Sequence, residues 1–281
     1  KIVCFAEALD IDSNIINKQY NCEKGNYNRY FDSFQDHDGG FDSLSFDEIF
    51  IHSSNIGTIK IFEDFPSESF YDKMKQFGFG IKSNISLADE HGGEIKSLQY
   101  YKSSSRDLAS ASIGQSILVT NLQLALAYSS IANGGYLIKP KIIKKIAHNN
   151  SIQQFNKPIV LRKNLKTSTS KMFISMLNQV VDKGTGKKAY IDEISIGGKT
   201  GTAEIWDSEN NSYSATDYIS SFASIFPVTQ PKYVMIISIE SPLYDKHWGG
   251  ETAAPCTKSI IEDIMIYDKE LRKRININEK A

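Results

Sequence analysis

Gly197-Gly198-Lys199-Thr200-Gly201-Thr202-Ala203-Glu204 is the stretch on which the reading of this chain turns. Lys-Thr-Gly is a common triplet, and one familiar setting for it is the phosphate-binding loop at the head of a helix. That setting is set aside here, because such a loop needs its second glycine before Gly-Lys-Thr, and Gly201 and Ala203 continue an extended run instead. Residues 194–204 read as a strand, and residues 218–226 and 233–239 are two further β-branched and aromatic runs. Only the Pro227 to Pro231 turn separates the last two, so they are expected to pair antiparallel.

Upstream of these strands the pattern is helical. Ile2, Phe5, Ala6 and Leu9 recur at helical spacing from the first residues, with no initiator Met, cap or approach loop, which reads as a start inside a helix. Residues 10–44 are polar and rich in Asn, Asp, Gly and Tyr, and read as a long mobile surface excursion. Ser45-Phe46-Asp47-Glu48 is a capping box opening a helix with Phe46, Ile49 and Phe50 on one face, which runs into His52-Ser53-Ser54-Asn55-Ile56-Gly57. Pro66 and Ser67 introduce a helix with Phe70, Met74 and Phe77 inward and Gly78 as its stop. Thr120 and Gln123 form a second capping box before Leu124, Ala127, Tyr128 and Ile131, closed by Asn133-Gly134-Gly135. A helix over residues 168–183 turns Phe173, Met176, Leu177, Val180 and Val181 inward. Pro255 opens a closing helix whose Ile260, Ile261, Ile264 and Met265 are available to cover the strands. Helices first, then strands and a covering helix, make an α+β domain over residues 1–268, with 269–281 as a polar, mostly charged tail that reads as a fraying helix end.

Composition narrows the class of partner. The chain has 281 residues, 41% hydrophobic and 23% charged, with a formal net charge of −1. That balance suits a globular body and offers no field for nucleic acid. Cys4, Cys22 and Cys256 lie far apart without a CxxC pair, so no metal site and no disulfide framework is read. Cys4 and Cys256 read as small buried hydrophobes. No run approaches the 18 or so apolar residues of a membrane span, and no signal peptide precedes residue 1, so the protein is cytoplasmic or an N-terminal piece precedes this chain.

Ser53-Ser54-Asn55 and Lys199-Thr200-Gly201 are each weak signals alone; their order and context together are specific. With Ser112-Ile113-Gly114-Gln115, Val119-Thr120, Leu122 to Ala125, Ala132 to Tyr136, Gly184-Thr185-Gly186, Ser221-Phe222, Gly249-Gly250 and Ala253-Ala254-Pro255, the chain resembles the class B penicillin-binding proteins over residues 1–267. The corner around Ser53 resembles the septal, cell-division branch more than the elongation branch. The resemblance implies a penicillin-binding transpeptidase or serine β-lactamase-like fold: an antiparallel sheet flanked by helices, plus a helical subdomain. It also implies that two N-terminal strands of the sheet lie outside this chain, leaving the strand at 233–239 with an open edge.

In that family a nucleophilic serine stands three residues before a lysine at the start of a buried, apolar helix. Lys1 resembles the lysine, and the serine then lies upstream, so the chain as given is expected to be inactive. A serine hydroxyl is a weak nucleophile near neutral pH and needs a base. The resemblance implies that Lys1 is that base, its pKa lowered by burial and by Lys199 as a second cation. Ser53 relays the proton and Asn55 holds Lys1. Ser54, Thr200, Gly201 and Thr202 bind substrate, the terminal carboxylate going to Lys199, Thr200 and Thr202, and Gly201 leaves room for a substrate backbone to pair with the strand edge. No cofactor is implied. The partners implied are peptidoglycan stem peptides, β-lactams that imitate their D-Ala-D-Ala ends, and other cell-wall or division proteins. A single N-terminal anchor would hold the domain on the outer side of the cytoplasmic membrane.

Two other functions share these motifs. A β-lactamase or β-lactam sensor would acylate in the same way, but no glutamate loop to activate water is evident. A degenerate scaffold that only docks division proteins would lack the serine upstream of Lys1. His52 beside Ser53 is not read as a base, since neighbouring side chains on a helix point apart. His247 and Trp248 read as a solvated loop rather than a groove wall. Ser224 stands where a glycine is expected, and Cys256 and Thr257 where larger apolar residues are usual.

Overall fold

The structure is a computed structural model that describes residues 1–278 apart from 38, 149, 150, 156 and 208. Helix α1 (Ile2–Ile11) has almost no polar face, and residues 2 to 9 are all buried. A helix apolar all round belongs in the middle of a domain. The ring of Phe5 lies 4.7 Å from that of Phe46 and 4.9 Å from that of Phe50, which fixes α2 (Phe46–Ile51) against it. Helices α3 (Asn55–Phe62) and α4 (Ser67–Gln76) pack on other sides of α1. Lys73 of α4 is buried in that core and is balanced by Asp10 at 2.7 Å and Glu7 at 3.3 Å, both from α1. An unpaired ammonium there would be costly.

The polar excursion before α2 is ordered, contrary to the expectation of a mobile loop. Strand β1 (Gln19–Asn21) pairs with β4 (Ser43–Ser45), and between them β2 (Asn26–Arg29) and β3 (Asp32–Gln35) form a hairpin. Gly25 and Gly40 close its neck: a Cβ on Gly40 would lie 2.2 Å from the Gly25 Cα. Glu63, just after α3, holds the hairpin by accepting from Tyr30 Oη at 2.7 Å, Arg29 Nε at 3.1 Å and Tyr27 Oη at 3.1 Å. Two-residue hairpins usually turn on Asn-Gly; here Tyr30 and Phe31 take positive φ, so the usual signal is missing from the sequence.

Short helices α5 (Leu98–Ser103) and α6 (Ser105–Ile113) lead to α7 (Asn121–Ala132). The expected capping box is present: Gln123 N donates to Thr120 Oγ1 at 3.1 Å and Thr120 N to Gln123 Oε1 at 2.9 Å. Gln123 also sends its buried amide nitrogen to the carbonyls of Gly78, Ile81 and Gly92. Beyond α7, β5 (Tyr136–Ile138) pairs with β8 (Val160–Lys163), and between them β6 (Lys145–His148) and β7 (Ser151–Gln154) form a projecting hairpin. Helix α8 (Thr167–Asp182) then buries Phe173, Met176, Leu177, Val180 and Val181 as its spacing predicts.

The main sheet is β11-β10-β9, antiparallel throughout, from β9 (Gly197–Asp207), β10 (Ser212–Phe226) and β11 (Tyr233–Glu240). Successive residues face opposite sides of a strand. Ala223, Ile225, Val234 and Ile236 therefore join the helical core, while Phe222, Phe226, Met235 and Ile237 meet α9 (Ala253–Tyr267) in a second core. Ile261 is buried there and Ile264 and Met265 pack beside it. Among the described residues β11 has no strand on its outer edge. The polar tail, read as a fraying helix end, forms a helix, α10 (Lys269–Asn278), which Leu271 and Ile275 dock to the second core. Cys4 is buried as expected, but Cys256 is exposed, one turn into α9 on its outer side. Buried Ser224 sends its hydroxyl to the Met235 carbonyl at 3.3 Å, so a polar side chain fits where a glycine was expected. Among the described residues no helix is long and apolar enough to cross a membrane.

Gln123 ties α7 to the turn after α4 and to residues 81 and 92. Replacing it by Ala takes a shared donor from three part-buried carbonyls and removes the cap of Thr120 N, on the order of 1 kcal/mol each. The full-length Gln123→Ala protein should lose about 2–4 kcal/mol in urea unfolding; an unchanged midpoint would show that these bonds do not hold the two halves of the helical core together.

Candidate active site

Three elements converge at the start of α1. Lys1 stands at its N-terminal end, Ser53 at the corner between α2 and α3, and Lys199 on β9. Lys1 Nζ donates to Asn55 Oδ1 at 2.6 Å, and Lys199 Nζ donates to Ser53 Oγ at 2.7 Å. Ser53 holds φ +60°, a left-handed conformation that a non-glycine residue adopts at some cost and that often marks a functional corner. It turns its hydroxyl toward β9, while the chain goes on directly into α3.

Lys199 is buried and Lys1 partly so, and burial disfavours an ammonium. Burial brings Lys1 down to about 8, while the nearby Asp36 carboxylate and Cys4 pull it back up. Lys199 is driven well below the usual lysine range, first by burial and then by repulsion from Lys1. Repulsion from Lys1 adds to the effect of burial on Lys199, whose ammonium, among the described residues, meets Ser53, the Thr200 carbonyl at 3.2 Å and the face of Phe50.

Asp36 is the residue that the sequence did not reveal. It comes from the end of the β2–β3 hairpin and closes the exposed N-terminus of α3, accepting from Asn55 N at 2.5 Å, Ile56 N at 3.1 Å and Ser54 Oγ at 2.7 Å. A carboxylate at a helix N-terminus satisfies otherwise orphaned amides and meets the positive end of the helix. The Gln35 carbonyl takes Asn55 Nδ2 at 3.0 Å, so the Asn55 amide is held at both ends with its oxygen facing Lys1. The only hint in sequence was an Asp in a polar stretch, which several neighbours share.

Ser54 differs from expectation. Its hydroxyl caps α3, accepting from Gly57 N at 2.9 Å while donating to Asp36, and the residue is 1% exposed. It supports the corner from inside and does not face a ligand. The side chains of Thr200 and Thr202 have partners from the chain itself: Thr200 Oγ1 lies 2.7 Å from Thr185 Oγ1, and Thr202 Oγ1 accepts from Gly249 N at 3.1 Å. Gly201 is small for a further reason than expected. A Cβ there would sit 2.5 Å from Ser221 Oγ, and one on Gly249 would sit 2.5 Å from the Gly201 carbonyl. The loop carrying Gly249 thus rests directly on the Lys-Thr-Gly backbone. His52 lies against Phe41, with ring centres 5.4 Å apart, away from this corner. His247 and Trp248, expected as a solvated loop, are stacked: His247 lies 4.2 Å from Tyr218 and 4.6 Å from Trp248, which reaches His37 at 4.9 Å.

The α+β body, the buried lysine pair and the Lys-Thr-Gly strand together define the penicillin-binding and serine β-lactamase class of fold. More narrowly, the chain belongs to the penicillin binding protein transpeptidase domain family, whose model matches residues 1–262. A peptidoglycan D,D-transpeptidase FtsI homolog of Mesostigma viride is 30% identical over 279 residues, covering 92% of this chain and 43% of that protein. Penicillin-binding protein PbpB of Mycolicibacterium smegmatis is 32% identical over 216 residues, 74% of this chain and 33% of that protein. The chain therefore spans less than half the length of these curated relatives. Among solved structures, penicillin-binding protein 3 of Mycobacterium tuberculosis superposes with a TM-score of 0.85 at 26% identity, covering 94% of this chain and 61% of that one. The same protein has been solved in complex with aztreonam. These likenesses agree with the class B, septal resemblance read from the motifs.

The charge of the Asp36 carboxylate raises the Lys1 midpoint without a direct hydrogen bond. In full-length Asp36→Asn, the Lys1 midpoint, followed by NMR of a 13C label on lysine, should fall below about 8. A rise, or no change, would show that Asp36 does not act on Lys1.

Proposed function

We propose that the protein containing this chain is a peptidoglycan D,D-transpeptidase that works through a serine acyl-enzyme, with the nucleophile three residues before Lys1. The observation that carries this reading is the pairing of Lys1 with Asn55 at 2.6 Å and of Lys199 with Ser53 at 2.7 Å, both partly buried at one corner. A lysine lowered to about 8 is partly neutral near neutral pH and can take a hydroxyl proton. In this reading the serine oxygen attacks the penultimate D-Ala carbonyl as its proton passes to Lys1. Ser53 then relays the proton to the departing D-Ala amine as the peptide bond breaks. The acyl-enzyme is released by the amine of a neighbouring stem peptide, which re-forms an amide and returns the serine its proton. Lys199, Thr200 and Thr202 bind the terminal carboxylate, and the Thr202 amide with that of the serine steadies the oxyanion. A β-lactam presents a carboxylate and a strained amide in the same places.

The site's proximity to Asp36 does not favour a hydrolase. Both carboxylate oxygens of Asp36 are taken up by donors from residues 54, 55 and 56, which leaves it poorly placed to activate water. The septal names of relatives support a role in division, with a single N-terminal anchor placing the domain outside the cytoplasmic membrane beside other division proteins.

Labelling of the full-length protein with a fluorescent penicillin tests the chemistry. Lys199→Ala, Ser53→Ala and Asn55→Ala should each slow labelling by about 10²-fold or more while the fold persists. Because Lys1 acts as its neutral amine, labelling should also rise with pH through about 8. Wild-type rates in all three variants would overturn the assignment.

A further inference from the structure

One region of the molecule takes no part in this site and has a composition of its own. From Tyr136 to Lys166 the chain carries eight Lys and Arg residues and no Asp or Glu, in a protein whose formal net charge is −1. Among the described residues the basic groups of this region form no ion pair with a carboxylate. Arg162 bonds to the carbonyls of Lys75 and Gln76, Lys166 Nζ to the carbonyl of Asp10, and Lys163 to the Thr167 hydroxyl. The same region exposes large apolar side chains: Ile142 is 52% exposed, Ile146 47%, Ile152 63% and Ile159 48%.

Its centre is the β6–β7 hairpin, whose eight strand residues are all exposed. Among the described residues β6 and β7 pair only with each other. In the register, Ile146 stands opposite Gln153 and Ile152 opposite Ala147, so the two isoleucines lie on opposite faces. A lone two-stranded hairpin, apolar on both faces, has little to hold it in water. Exposed apolar surface set among unpaired charge of one sign is a docking surface.

We propose that this hairpin is the docking site for an acidic polypeptide segment that carries apolar residues among its carboxylates. Charge complementarity selects the acidic partner, since lysines without carboxylates of their own attract anionic groups. The isoleucines select a polypeptide over a purely anionic polymer, which has nothing to bury against them. A membrane surface is a poorer match, because Ile146 and Ile152 lie on opposite faces of the hairpin, so no single face presents both to a lipid surface.

The test uses the full-length protein in detergent and a fluorescein-labelled ten-residue peptide alternating Glu and Val, read by fluorescence anisotropy. Polyglutamate, a Lys-Val peptide of equal length and vesicles of anionic phosphatidylglycerol are compared. The Glu-Val peptide should bind, and both Lys144→Glu/Lys145→Glu and Ile146→Ser/Ile152→Ser should weaken it by tenfold or more. Penicillin labelling should be unchanged in both double variants, which reports that they remain folded. Equal binding of polyglutamate, binding of the vesicles in preference, or indifference of the Glu-Val peptide to either variant would overturn the proposal.

Discussion

Two lysine ammonium groups buried near one another form the constraint around which this domain is built. Taking one such group from water is expensive, and placing a second beside it adds repulsion. The fold meets that cost with geometry. Asn55 turns its oxygen to Lys1, Ser53 and the Thr200 carbonyl face Lys199, and the Phe50 ring lies under Lys199. None of these is a carboxylate in contact, so the amines are supported without being locked in the charged form. Asp36 acts on Lys1 from further away while its oxygens remain on the α3 amides.

The rest of the architecture follows as the means of holding that corner. Helix α1 is apolar all round so that it can carry Lys1 into the middle of the domain. The α2–α3 corner is rigid because Ser54 and Asp36 satisfy its amides from inside, which lets Ser53 keep a left-handed conformation. Strand β9 brings Lys199 in from the other side, pinned by the ring of Phe222 against Gly198 and by the Gly249 loop against Gly201.

Much of this was legible in the sequence, and the exceptions have physical reasons. Helices with caps and a clean apolar face, such as those capped by Ser45 and Thr120, announce themselves because local bonds and periodicity agree. Strands β9 to β11 are long and β-branched, and appear where expected. The hairpin of β2 and β3 was invisible, since its turn is Tyr30-Phe31 and its neck depends on contact between Gly25 and Gly40, which lie 15 residues apart. Asp36 was missed for the same reason: its role exists only once that hairpin has folded. Ser54 was misread because its neighbours face the site, and a left-handed residue before it rotates its own side chain inward. Helix α10 read only as a fraying end because its charge masks the apolar contacts, Leu271 and Ile275, that dock it.

The central claim, that the buried lysine pair serves a serine immediately before α1, is tested most directly by locating the bond a penicillin makes. After the full-length protein reacts with benzylpenicillin, trypsin should release a peptide ending at Lys1, and tandem mass spectrometry should place the penicilloyl adduct on a serine three residues before it. An adduct on Ser53 or any other residue, or no adduct at all, would contradict the account.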